Sequence, residues 1–161
     1  MVHLLKVIAV LAVTALVAFA AYEIYTLGQA PDTVTTTVPS GFTVNGKSYT
    51  FTYTATTDAE RLAGLMNRKI TNATTMLFAF PSFAKWSFWM YDTNTSLDMI
   101  WLNATGDSAR VVYIATAVPP CYNQSACADY TPTSAANYVI EAKAGFSAAN
   151  GIGVGTLVEL T

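Results

Sequence analysis

Arg61, Asp98, Glu60 and Glu141 are the side chains of this chain best suited to chemistry. Their surroundings make them conspicuous, because only 11% of the 161 residues are charged and 53% are hydrophobic. Asp98 lies in an apolar run, with Ile100 and Leu102 at strand spacing on its face. A buried acid needs a partner, and the fork of Arg61 takes a carboxylate bidentately. One reading makes Arg61–Asp98 an internal ion pair that fixes a helix against a sheet. The other has both residues face a cleft walled by Trp89 and Met90. The ligand-binding candidates are therefore Arg61, Trp89, Met90 and Asp98. Glu141, between Ile140 and Ala142, reads as a surface residue or as a second partner for Arg61.

Several chemistries are disfavoured. His3 is the only histidine and stands at the extreme amino terminus, so a His-based triad is excluded downstream. Two carboxylates could hydrolyse a glycoside, but that reaction needs a set separation. Met66, Met76, Met90 and Met99 could offer soft thioethers to Cu(I), yet methionines beside Trp and Phe usually fill cores. No metal site, cofactor or catalytic residue is assigned, and the reading leans away from an enzyme. A net charge of −2 gives no footprint for nucleic acid.

The elements that must position these residues follow from local signals. Phe42-Thr43-Val44 runs into Asn45-Gly46, a type I′ hairpin signal. The return strand alternates, with Tyr49, Phe51 and Tyr53 on one face and Thr50, Thr52 and Thr54 on the other. Thr57-Asp58-Ala59-Glu60 is a capping box for a short helix, whose inner face would be Leu62, Leu65 and Met66. Short strands are expected at 76–80, 86–91, 97–102, 109–116, 138–143 and 156–160, with turns at Gly106-Asp107 and along Gly145 to Gly155. The fold class is mainly β (α+β): a compact barrel or sandwich of short strands with one short helix.

Residues 1–25 are a signal anchor or signal peptide. Val7 to Tyr22 is an apolar core, and Leu4, Leu5, Ile24 and Tyr25 bring it to about 20 residues, roughly a bilayer span, with His3 and Lys6 before the core and Glu23 after it. Ala18-Phe19-Ala20 offers a small-x-small cleavage site, the alternative to a retained anchor. Residues 26–41 form a Thr/Pro-rich linker, and 42–161 an exported β domain. The expected partners are the membrane, through the amino-terminal helix, and an unknown small ligand or envelope protein. Cys121 and Cys127, the only cysteines, read as a disulfide in that compartment. Sequons at Asn72, Asn94, Asn103 and Asn123 permit glycosylation.

The chain resembles the bacterial and archaeal family called domain of unknown function 192. The resemblance is carried by Glu60-Arg61, Gly64-Leu65-Met66 with Arg68, Met76-Leu77-Phe78, Phe88-Trp89-Met90 with Thr93, and Leu97-Asp98. It continues through Pro120-Cys121, Tyr138-Val139-Ile140-Glu141, Gly145-Phe146 and Gly151 to Gly155, so it spans about residues 42 to 160. Departures are Thr75 for a usual Gly, Tyr91-Asp92 for a Lys-Asn-like pair, and Ser96 for a Pro. The resemblance implies a small, mainly β, commonly exported or membrane-attached domain, and no reaction.

Overall fold

The computed structural model describes residues 38–161. The apolar leader and most of the linker lie outside the described residues. Within them no helix is long and apolar enough to cross a membrane. Eight strands form one sheet: β1 (Gly41–Val44), β2 (Lys47–Thr50), β3 (Tyr53–Ala55), β4 (Thr75–Ala84), β5 (Leu97–Thr105), β6 (Ser108–Val118), β7 (Ala136–Lys143) and β8 (Leu157–Leu160). Their order across the sheet is β2-β1-β8-β6-β5-β7-β4-β3.

That order closes the sheet on itself. β2 and β3 are its two edges, yet only Phe51 and Thr52 separate them in the chain. The seam is stitched by Thr52 N–H donating to Thr75 O (2.8 Å) and the Thr75 hydroxyl donating to Thr50 O (3.0 Å). The result is a barrel-like curl, which leaves little open edge. The return strand expected at 47–54 is thus two strands with a bend at Thr52. Tyr49 and Phe51 pack against one core and Tyr53 against another, so the three do not share a face as their alternation suggested.

Each face of the curl carries a core. Phe42, Leu77, Ile100, Leu102, Val111, Ile140 and Leu160 meet on one face. Phe78, Met99, Trp101 and Val139 on the other face pack with Leu65 and Met90 from the segments that cover it. The hairpin turn is as expected, with φ of +49° at Asn45 and +76° at Gly46. The capping box is present: Glu60 N–H donates to Thr57 Oγ1 at 3.3 Å, and Glu60 Oε2 accepts from Thr57 N–H at 2.9 Å.

Four expectations need correction. The capped helix, α1 (Asp58–Ala63), buries no residue of its own, and Leu62 is 64% exposed. Only Leu65, beyond its end, enters the core. A second short helix, α2 (Phe146–Ala149), lies within the glycine-punctuated connection. β4 runs on through Pro81, which sits in a register irregularity between Ala79 and Ala84 where no ladder N–H is required. Residues 86–91 form no strand. They are held by two isolated bridges, Phe88 with Tyr130 and Tyr91 with Cys121.

Candidate functional site

The four candidate residues go to different places. The reason is the period of two along a strand. Asp98 pairs with Ala142, and Met99 with Glu141, so Asp98 and Glu141 point to opposite faces of the sheet. Asp98 is 1% exposed and does not meet Arg61. Its carboxylate accepts from Ala117 N–H (2.9 Å), Gly145 N–H (3.2 Å) and Ser147 N–H (2.9 Å). Ala117 lies in a β6 bulge with φ of +51°, a conformation costly for a residue bearing Cβ. Asp98 takes the N–H that the bulge frees and, at the same time, caps the start of α2. It is a structural acid.

The Arg61–Asp98 ion pair is therefore not formed. Arg61 salt-bridges Asp58 at 2.7 Å instead. Its Nη1 donates to Thr56 O (2.7 Å) and Ala79 O (2.6 Å), and its guanidinium lies 5.2 Å from the centre of the Phe80 ring. β3 and β4 run parallel up to Ala55 and Phe78. The guanidinium bridges the next two carbonyls, joining the strand ends to α1. Met90 is 1% exposed and belongs to the core.

Arg61 and Trp89 do meet, at a two-part depression. The outer part is an open groove of about 380 Å³ lined by Asp58, Arg61, Leu62, Phe80, Ser87, Phe88, Trp89 and Asp129. The inner part is a narrow pocket of about 20 Å³ that shares Arg61, Leu62, Phe88 and Trp89 with the groove and adds Gly64, Met66, Tyr91, Thr93 and Glu141. That is room for one water-sized group, since roughly 10–15 Å³ suffices.

Glu141 is the site residue that sequence reasoning left undecided. It is neither on the surface nor bonded to Arg61: it is 4% exposed, and among the described residues its carboxyl has no hydrogen-bond donor, although only Ser147 Oγ is both fully enclosed and unpaired. Burial pushes its pKa up to about 8. The acid is therefore mostly neutral at pH 7 and carries a proton to donate. The signal in the sequence was the acid itself, set between Val139 and Ile140 on one side and Ala142 on the other. Its cross-strand neighbours Met76 and Met99 are what make its face apolar, and they come from distant segments.

The other pocket walls also have local causes. Gly64 has φ of +44°, and an added Cβ would come within 3.4 Å of the Phe78 ring, so the turn after α1 requires glycine. Arg68 Nε donates to Gly64 O at 3.0 Å and stacks its guanidinium over Tyr53. The Trp89 wall is stapled to the cysteine loop. Phe88 exchanges backbone bonds with Tyr130, Cys121 N–H donates to Met90 O, and Asp92 N–H donates to Cys121 O. The Cys121–Cys127 disulfide is formed as expected.

Fold and site together define a small curled-sheet domain with a stapled aromatic groove beside its second core. The chain belongs to the family DUF192, described as "Uncharacterized ACR", whose model matches residues 42–160. It is similar to a crystal structure from Sinorhizobium meliloti 1021 described as a "putative transcription regulator". That match has 25% identity and a TM-score of 0.61, covering 74% of this chain and 90% of that one. It is also similar to a protein of unknown function from Novosphingobium aromaticivorans DSM 12444. There the identity is 30% and the TM-score 0.60, with 76% and 84% covered. No curated protein matches the chain.

Proposed function

We propose that this chain is a membrane-anchored, extracytoplasmic binding module whose small ligand occupies the groove at Arg61 and Trp89. The observation that carries the reading is Glu141: a residue only 4% exposed, whose carboxyl has no hydrogen-bonding partner among the described residues and lines a narrow pocket that adjoins an open groove. Burying a polar group without a partner is costly, and such groups concentrate where a ligand or water completes them. The apolar leader with its preceding lysine supports anchoring, and the disulfide supports an oxidising compartment.

The carboxylates Asp98 and Glu60 do not support a carboxylate-pair hydrolase. Asp98 faces the other side of the sheet and Glu60 is engaged at the start of α1. Transcription regulation is not carried over from the Sinorhizobium protein, because a net charge of −2 offers no basic stripe for phosphates. A purely structural envelope domain is the second reading, favoured by the three bonds that Arg61 spends on α1, β3 and β4. The two separate in an NMR screen of the full chain against a chemically diverse fragment library. Binders should shift the Trp89 indole N–H. A library that leaves Trp89 unmoved would leave only the structural reading.

A further inference from the structure

We propose that the groove takes a neutral, hydroxylated sugar ring, with Trp89 as its platform; this rests on the binding-module reading and names the ligand class. Trp89 is half-buried, and its place in the chain is fixed. The residues on either side are pinned by backbone bonds, Phe88 to Tyr130 and Met90 to Cys121. Met90 is buried and Phe88 packs against the same core, which leaves Trp89 for the groove. Among the described residues its one aromatic neighbour is Tyr91, tilted by 45° at 5.6 Å. The other rings at the groove are already used. Phe80 has Arg61 over it and stacks on Trp86, and Phe88 meets Phe78, Phe80 and Trp101.

The polar groups around Trp89 select the class. Asp58 and Asp129 accept, Arg61 donates, and the Ser87 hydroxyl does either. Arg61 and Asp58 cancel each other's charge as a pair. An organic cation would meet Arg61, an anion would meet the two acids, and a wholly apolar ligand would strip water from all of these groups without replacing it. A sugar has hydroxyls that donate and accept, and a C–H face that lies on an aromatic ring. The volume of about 380 Å³ is in the range of small-molecule sites. The inner pocket has room for one exocyclic hydroxyl, which would accept the Glu141 proton.

The test uses the full chain in a sugar-free detergent, with cellotriose and tri-N-acetylchitotriose as probes and tetramethylammonium and succinate as controls. At least one trisaccharide should shift the Trp89 indole N–H saturably. Trp89→Ala should weaken that binding about tenfold, read on the Tyr91 and Thr93 amides. The buried Trp101 indole, bonded to Trp86 O at 2.9 Å, should stay in place and certify the fold. Glu141→Leu, which removes the donor, should lose about fivefold, and Glu141→Gln, which keeps one, should lose less. Controls that shift Trp89 while both sugars fail overturn the sugar class and leave the binding module standing. Sugar binding indifferent to Trp89→Ala overturns the platform. Silence from every probe, together with an unresponsive fragment screen, overturns both readings.

Discussion

Two buried acids in this domain do opposite things, and hydrogen bonding decides which. Asp98 is buried with three backbone donors, so its carboxyl oxygens are satisfied. Removing it orphans those N–H groups, and Asp98→Ala should cost about 3 kcal/mol in chemical denaturation. Glu141 has no such donor, and desolvation by burial raises its folded pKa from 4.5 to about 8. The sign follows from proton counting. Between pH 4.5 and 8 the folded chain holds a proton that the unfolded chain releases. Stability from this residue is therefore full below pH 4.5 and falls as pH rises, by a total on the order of 5 kcal/mol, before levelling above pH 8. Glu141→Gln should flatten that slope in unfolding curves measured from pH 4 to 9, and should be the more stable protein at the alkaline end. An unchanged slope would mean that Glu141 is not the buried neutral acid described. Glu60 behaves in the reverse sense: backbone and side-chain bonds from Thr56 and Thr57 lower its pKa to about 2. Its contribution is present above pH 4.5 and fades as pH falls toward 2.

At the scale of elements, α1 is six residues long and buries nothing, so its termini and Arg61 hold it. Thr57→Ala should cost about 1 kcal/mol through loss of the cap. Arg61→Lys should fall well short of wild-type stability. A single ammonium cannot reproduce the planar fork that spans Thr56 O, Ala79 O and Asp58. In β6 the bulge holds Ala117 at φ +51°. Ala117→Gly should therefore stabilise the domain by about 0.5–1 kcal/mol, a rare case of glycine improving a strand. The capping box and the hairpin were legible in the sequence because both are set by residues within a few positions. The extent of α1 was not. Leu62 has helical spacing with Leu65 and Met66, but the turn at Gly64 ends the helix and directs Leu65 inward alone.

For the molecule as a whole, the cysteine loop is the wall that fixes the groove. A bridge across a sequence separation of 6 contributes about 2 kcal/mol in the chain-entropy model. Reduction should lower the melting temperature and speed hydrogen exchange at Phe88 and Asp92, whose amides bond Tyr130 O and Cys121 O. Amides in β5 and β7, at the centre of the sheet, should hold their protection. Protection unchanged at Phe88 would show that the wall stands without its disulfide.

The sequence by itself determined the family, the mainly β character, the hairpin turn, the helix cap and the disulfide. Each rests on short-range spacing or on the order of motifs. Tertiary structure decided what meets what. Arg61, Trp89, Met90 and Asp98 looked like one cluster because they are neighbours in an unusual stretch. Strand alternation sent Asp98 to the far face, and packing took Met90 into the core. Glu141 reached the pocket from a strand that is central in the sheet but 80 residues from Arg61 in the chain. A local pattern records which side chains are available, whereas register across β4, β7 and β5 sets which of them share a face.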